Sequence, residues 1–165
     1  MLRVTRDLIL PTAITGSYPR PLWYDANLSG RSFKAALGDS MFREQYFDAV
    51  AAVINAQEAA GLDIVTDGDS RFDLAVGGKS RISHCNTVVE PPEYVAGLIR
   101  KALEYIPPER LVVTTDCGFG REGLSRRIAY YKCVALVEGT NIVRRELGLP
   151  EARVRASDPQ LWFAS

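Results

Sequence analysis

Apolar positions along this chain follow two rhythms that take turns: short continuous runs, and longer stretches with helical spacing. Pro11 to Ser17 reads as a short buried strand running into a glycine turn, after which Pro19 and Pro21 force an extended loop. Asp39 or Ser40 can cap a helix beginning near Met41. Phe47, Val50 and Ile54 give that helix an apolar face, and Gly61 marks its stop. Leu62 to Thr66 is a compact run of the kind found in buried parallel strands, and it ends in Asp67-Gly68-Asp69. Gly77-Gly78-Lys79-Ser80 then breaks the pattern, and Arg81 to His84 offers a further strand. Pro91 and Pro92 open a second helix, whose stripe is Val95, Leu98, Ile99, Ala102, Leu103 and Ile106. Leu111 to Thr115 is another buried strand, ending in Asp116-Cys117-Gly118. A long helix follows from about Leu124 to Leu147, with Gly148 and Pro150 just beyond it. The tail, Glu151 to Ser165, has no period and either docks or frays.

Strands alternating with amphipathic helices mean parallel α/β architecture, either an open doubly wound sheet or a piece of a barrel. A length of 165 residues suits one domain with its own core. Twenty basic and twenty acidic residues cancel, which argues against nucleic acid as a partner. No apolar run approaches the roughly 20 residues that span a bilayer, and Met1 to Arg20 lacks the apolar core of a secretory signal. The expectation is a cytoplasmic protein without membrane contact. Its three cysteines, Cys85, Cys117 and Cys133, are an odd set without disulfide spacing, so they read as thiols or metal ligands. Neither Gly-x-Gly-x-x-Gly nor a P-loop is present, which disfavours a nucleotide enzyme. The single histidine has no nucleophile elbow near it, which disfavours a Ser/His/Asp hydrolase. The Gly118-Phe119-Gly120-Arg121 turn could bind an anion at the start of the last helix, a weak signal by itself.

Two blocks carry a family resemblance. One is Thr15-Gly16-Ser17-Tyr18-Pro19-Arg20-Pro21 with Ala60-Gly61-Leu62-Asp63-Ile64-Val65-Thr66-Asp67-Gly68-Asp69. The other is His84 through Glu93, then Ile106-Pro107-Pro108-Glu109-Arg110-Leu111 and Asp116-Cys117-Gly118-Phe119-Gly120. In this order they resemble the catalytic barrel of cobalamin-independent methionine synthase and its short relatives. Residues 1–76 resemble the start of the barrel and 81–150 its end, joined at 77–80 within a single domain. The resemblance implies a partial (β/α)8 barrel of strands one, two, seven and eight. A full barrel needs about 250 residues, and about 200 is a practical floor. Strands three to six, which carry the family's His-x-Cys ligands and a glutamate ligand, have no counterpart. The last strands of a barrel abut the first, so the two blocks form a half-barrel with cut edges. A homodimer would complete it.

The resemblance also assigns roles. Cys117, at a strand's carboxyl end, matches a zinc ligand, where the metal would lower the pKa of a substrate thiol; otherwise it is a buried structural cysteine. His84 matches a histidine near the metal that assists proton transfer, or is a hydrogen-bonded structural histidine. A local His84/Cys85/Cys117 zinc site would need a bulge, because neighbours on a strand point to opposite faces. Cys133, inside a helix, reads as a core thiol. Ser17 and Asp69, with Asp67 as the substitute, match positions that hold the amino-acid end of homocysteine; plain turn chemistry is the alternative. The implied activity is transfer of a methyl group from a methyl-folate to the homocysteine thiol, with zinc and without cobalamin. The alternatives are a half-barrel that binds or assembles without catalysis, and a different thiol-alkyl transfer.

Overall fold

The computed structural model of the chain describes residues 7–28, 30–70, 87–115, 118–122 and 124–157. Strand β1 (Thr12–Ala13) pairs in parallel with β2 (Val113–Thr114), Thr12 opposite Val113 and Ala13 opposite Thr114. The first and last predicted strands are therefore neighbours, with most of the chain between them. This is α/β architecture with a small parallel sheet; a closed barrel is not formed by the described residues.

Both strands are shorter than their apolar runs. Leu10 and Gly16 have positive φ, 52° and 70°, and turn the chain at either end of β1. Leu62 to Thr66 runs along the other side of β1 without forming a ladder. It bends at Asp63 and Ile64, and its backbone contact with β1 is the Ile64 N–H donating to Thr12 O at 3.0 Å. Val65, predicted to be buried, is 38% exposed. The backbone at Thr66 bonds instead to a side chain. Buried Gln57 accepts from Thr66 N–H at 3.0 Å and donates to Thr66 O at 2.7 Å.

Two short helices were not foreseen. Helix α1 (Leu22–Leu28) starts directly after Pro21, whose carbonyl accepts from Tyr24 and Asp25 N–H, so the expected extended loop is confined to 18–21. Helix α2 (Phe33–Ala36) is capped by Ser32. Helix α3 (Ser40–Ala59) is capped by Asp39, whose carboxylate accepts from Met41 N–H at 3.0 Å. It ends as expected at Gly61 (φ 84°): Gly61 N–H reaches Glu58 O and Leu62 N–H reaches Gln57 O, the double bond of a Schellman stop. The buried face differs from the predicted one. Phe42, Ala49, Val53 and Gln57 point inward, whereas Phe47 is exposed and Val50 and Ile54 are half-buried. Phe42 and Ala49 pack under α1 and α2 with Tyr24 and Ala36, and this satellite cluster rotates the helix away from the simple stripe.

Helix α4 (Pro92–Leu103) buries Ala96 and Ile99 and leaves Leu98 exposed; it stops short of Ile106, which is also exposed. Helix α5 (Arg126–Glu146), capped by Ser125 and closed by Gly148 (φ 68°), packs against α4. Gly139 permits that approach, since a Cβ there would sit 2.6 Å from the Cβ of Val95. The start of the tail docks. Asn141 donates to Ala152 O and accepts from Ala152 N–H, both at 2.8 Å, and Val154 joins the core. Cys133 is buried as expected, and burial pushes its thiol up to about 12.

A charged cluster ties the N-terminal ends of β1 and Leu62–Thr66 to the C-terminal end of α5. Asp63 Oδ2 accepts from Thr12 N–H (2.8 Å), from Thr12 Oγ1 (2.7 Å) and from buried Arg144 Nη2 (2.6 Å). Arg144 also donates to Leu10 O at 2.8 Å, stabilising the residue with the unusual φ. Asp63 and Thr12 come from the first block and Arg144 from the second, so this cluster and the β1–β2 pairing join the two blocks.

Candidate functional site

Three loops meet at the carboxyl ends of the strands, the end where α/β barrels place their chemistry. The first, residues 15–18, leaves β1. Thr15 N–H donates to Thr115 Oγ1 at 3.0 Å, across to the end of β2. Tyr18 N–H donates to Gly68 O at 3.0 Å, and Gly120 N–H donates to Ser17 O at 3.0 Å. One loop is thereby bonded to both of the others.

Glycine makes the contact possible. A Cβ on Gly118 would fall 2.3 Å from Ser17 N and 2.8 Å from Ser17 Oγ. A Cβ on Gly120 would fall 2.9 Å from Tyr18 O, and one on Gly16 would fall 3.1 Å from Gly118. Backbone lies against backbone here, and any side chain would push the loops apart. Below them Tyr18 meets Phe119 edge to face, ring centroids 6.4 Å apart. Burial drives the Tyr18 phenol well above its usual range, so it is a neutral hydroxyl at any physiological pH.

Inside this junction Ser17 is only 8% exposed, and its Oγ has no hydrogen-bond partner among the described residues. An unsatisfied buried hydroxyl costs about 1–3 kcal/mol, so its place in a close-packed fold calls for an explanation. The 67–70 loop behaves differently. Asp67 Oδ1 accepts from Asp69 N–H at 3.1 Å, and Asp67 O accepts from Ser70 Oγ at 2.7 Å, which is the turn chemistry weighed above. Asp69 takes φ 51° in that turn and leaves its own side chain exposed. Aspartate tolerates this left-handed conformation better than most residues.

Ser17 and the Asp67–Asp69 turn are thus brought to one corner. His84, Cys85 and Cys117 lie outside the described residues, as do the 77–80 junction and the predicted strand from Arg81 to His84. Thr115 and Gly118, which flank Asp116-Cys117 in sequence, both touch the 15–17 loop. Among the described residues no three His, Cys, Asp or Glu side chains converge as a metal site. No helix among them is long and apolar enough to cross a membrane. The Gly118–Arg121 turn is separate from the start of α5. Phe119–Glu122 is a 3-10 turn that ends before α5, and at the head of α5 the Ser125 hydroxyl accepts from Ile128 N–H at 3.2 Å.

Comparison with known proteins gives the same direction as the motifs. A stretch of 62 residues is 58% identical to a methionine synthase of Thermococcus kodakarensis, covering 38% of this chain and 18% of that protein. A stretch of 76 residues is 55% identical to a methionine synthase of Saccharolobus solfataricus, covering 46% and 22% respectively. The methionine synthase of Saccharolobus islandicus matches at 53% over the same length. These partial matches support a relationship to the cobalamin-independent methionine synthase family. It spans about a fifth of the length of the curated relatives it matches. No protein-family profile matches it, and no solved structure does.

The glycines of the loop junction were legible as a turn, but their partner was not. Their signal was present as Gly-x-Gly placed after a strand that turns out to pair with β1.

Proposed function

We propose that this chain retains the acceptor-binding corner of a methionine synthase-type enzyme and takes a homocysteine-like thiol there. The observation that carries the reading is the buried Ser17 hydroxyl, without a hydrogen-bond partner among the described residues, in the three-loop junction at the carboxyl ends of the strands. A ligand's carboxylate or ammonium reaching Ser17 Oγ would supply the bond that the fold leaves open. Asp69, with its carboxylate exposed beside that junction, would pair with the ammonium. Asp67 holds the turn and would orient Asp69.

A full reaction needs more. Cys117 would be a zinc ligand, with His84 nearby for proton transfer and a methyl-folate as donor. Zinc bound there would make the substrate thiol a thiolate at neutral pH. One thiolate does not hold zinc, and among the described residues nothing adds the missing donors, so binding of the thiol acceptor is the part best supported. The half-barrel reading of the fold is supported by the adjacency of the first and last strands and of Leu62–Thr66 along β1. A chain that binds the acceptor without transferring a methyl group is the second reading, and the incomplete donor set favours it.

Titration calorimetry with homocysteine, beside elemental analysis for zinc, tests the proposal. Saturable binding of homocysteine that weakens about tenfold or more in Ser17→Ala and in Asp69→Asn is expected, on the scale of one charge-assisted hydrogen bond. About one zinc per chain, absent from Cys117→Ala, would add the metal. Heat changes identical in wild type and both binding variants would overturn the acceptor site, and no zinc in either protein would leave binding alone.

A further inference from the structure

Asp69 is an exposed residue set between two buried ones, Gly68 and Ser70. Both buried neighbours are held by the stretch of chain that carries Ser17. Tyr18 N–H donates to Gly68 O at 3.0 Å, and the Tyr24 hydroxyl donates to Ser70 O at 3.2 Å. Tyr18 directly follows Ser17, and Tyr24 lies in α1, the helix this stretch runs into. The first bond joins backbone to backbone and needs no particular side chain. The second hangs on one phenol. Its ring is completely buried and stacks on Phe42, centroids 5.4 Å apart, with the Arg20 guanidinium 5.6 Å from its centre. Burial pushes the phenol up to about 12, so the hydroxyl keeps its proton and stays a donor at physiological pH. Gly68 and Asp69 both have left-handed backbone, φ 63° and 51°. A residue with a side chain holds that conformation where its surroundings fix it, and such positions gather at ligand clamps.

We propose that Tyr24 is a positioning residue for the acceptor: with Tyr18 it brackets Asp69, fixes the Asp69 carboxylate relative to Ser17 Oγ, and so selects an α-amino thiol over the same thiol without its amino group. The inference rests on the acceptor-site reading given above. An α-amino acid carries its ammonium and its carboxylate on one carbon, so the two protein groups that receive them must stand at one separation. A turn that has to be ordered on binding loses affinity, and one already held does not. The aromatic cluster around α1 serves the site through a single atom, the Tyr24 oxygen that its packing holds in place.

Titration calorimetry of the full chain with homocysteine and with γ-mercaptobutyrate, which lacks only the amino group, tests it. Tyr24→Phe keeps the stacked ring and removes the donor. Homocysteine is expected to bind this variant about five- to tenfold more weakly, and γ-mercaptobutyrate within about twofold of wild type. In an Asp69→Asn background Tyr24→Phe is expected to change homocysteine affinity by less than about twofold, because the charge it positions is gone. A purely structural loss would instead weaken both thiols alike and add to Asp69→Asn. Amide hydrogen exchange of the free protein gives a readout without ligand, and faster exchange at Gly68, Asp69 and Ser70 is expected in Tyr24→Phe. If Asp69→Asn weakens homocysteine binding while Tyr24→Phe does not, or if Tyr24→Phe weakens both thiols equally, the positioning role is overturned and the acceptor site stands. Unchanged amide exchange would overturn it too. Homocysteine binding indifferent to both Ser17→Ala and Asp69→Asn would overturn the acceptor site, and the role of Tyr24 with it.

Discussion

Ser17 and Gly118 share one constraint at the scale of single residues. The backbone of Gly118 lies so close to Ser17 that a methyl group there would land 2.3 Å from a main-chain nitrogen. A flexible side chain could yield, but backbone cannot without moving the strand end behind it. Gly118→Ala is therefore expected to destabilise by about 1–3 kcal/mol, read as a lower denaturation midpoint. It should also weaken homocysteine binding, since Ser17 would be displaced. Gly120→Ala, whose Cβ would meet Tyr18 O at 2.9 Å, should act in the same direction. The sequence showed a Gly-x-Gly turn and a serine after a strand. That the two would meet could not be read from spacing, because about a hundred residues separate them.

Elements are joined by a few polar side chains with large consequences. Asp63 accepts three donors on one oxygen, and Arg144 is almost completely buried. Removing one partner of a buried pair leaves an uncompensated charge, which costs about 3–5 kcal/mol. Asp63→Ala should show a loss of that order in urea unfolding. Asp63→Ala with Arg144→Met should lose less than the sum of the two single changes, because the second change removes the orphaned charge. Gln57 plays a quieter version of the same part, bonding both backbone groups of Thr66 so that Leu62–Thr66 needs no ladder there. Helix ends were legible because capping is local: Asp39, Gly61 and Gly148 each act on neighbours a few residues away. The inward face of α3 was not legible. Phe47, Val50 and Ile54 satisfied the spacing rule, yet the α1–α2 cap chose Phe42 and Ala49 instead.

The whole molecule is held by one main core reached from both blocks, with Cys133 and Tyr18 inside it. Burial raises the Cys133 thiol from 9.0 to about 12, so the folded state keeps its proton where the unfolded chain has lost it. That stabilisation is complete below pH 9 and declines as pH rises from 9 towards 12. Stability should fall through this window, and Cys133→Ala should flatten the slope in alkaline denaturation followed by circular dichroism. Burial of the Tyr18 phenol acts in the same direction at higher pH.

Composition, spacing and motif order were enough to give parallel α/β character, the three main helices with Asp39, Gly61 and Gly148 at their ends, and the resemblance to methionine synthase. These are local signals: a periodic stripe, a cap or a turn is written within a dozen residues. Only the tertiary structure decided that β1 lies between β2 and Leu62–Thr66, that the strand ladders shrink to two residues, and that Asp63, Thr12 and Arg144 form one buried cluster. It alone placed a buried serine, without a partner among the described residues, where three loops close. Such facts depend on contacts between residues 50 to 130 positions apart. A one-dimensional pattern states what each segment can bury, but packing decides which segment it is buried against.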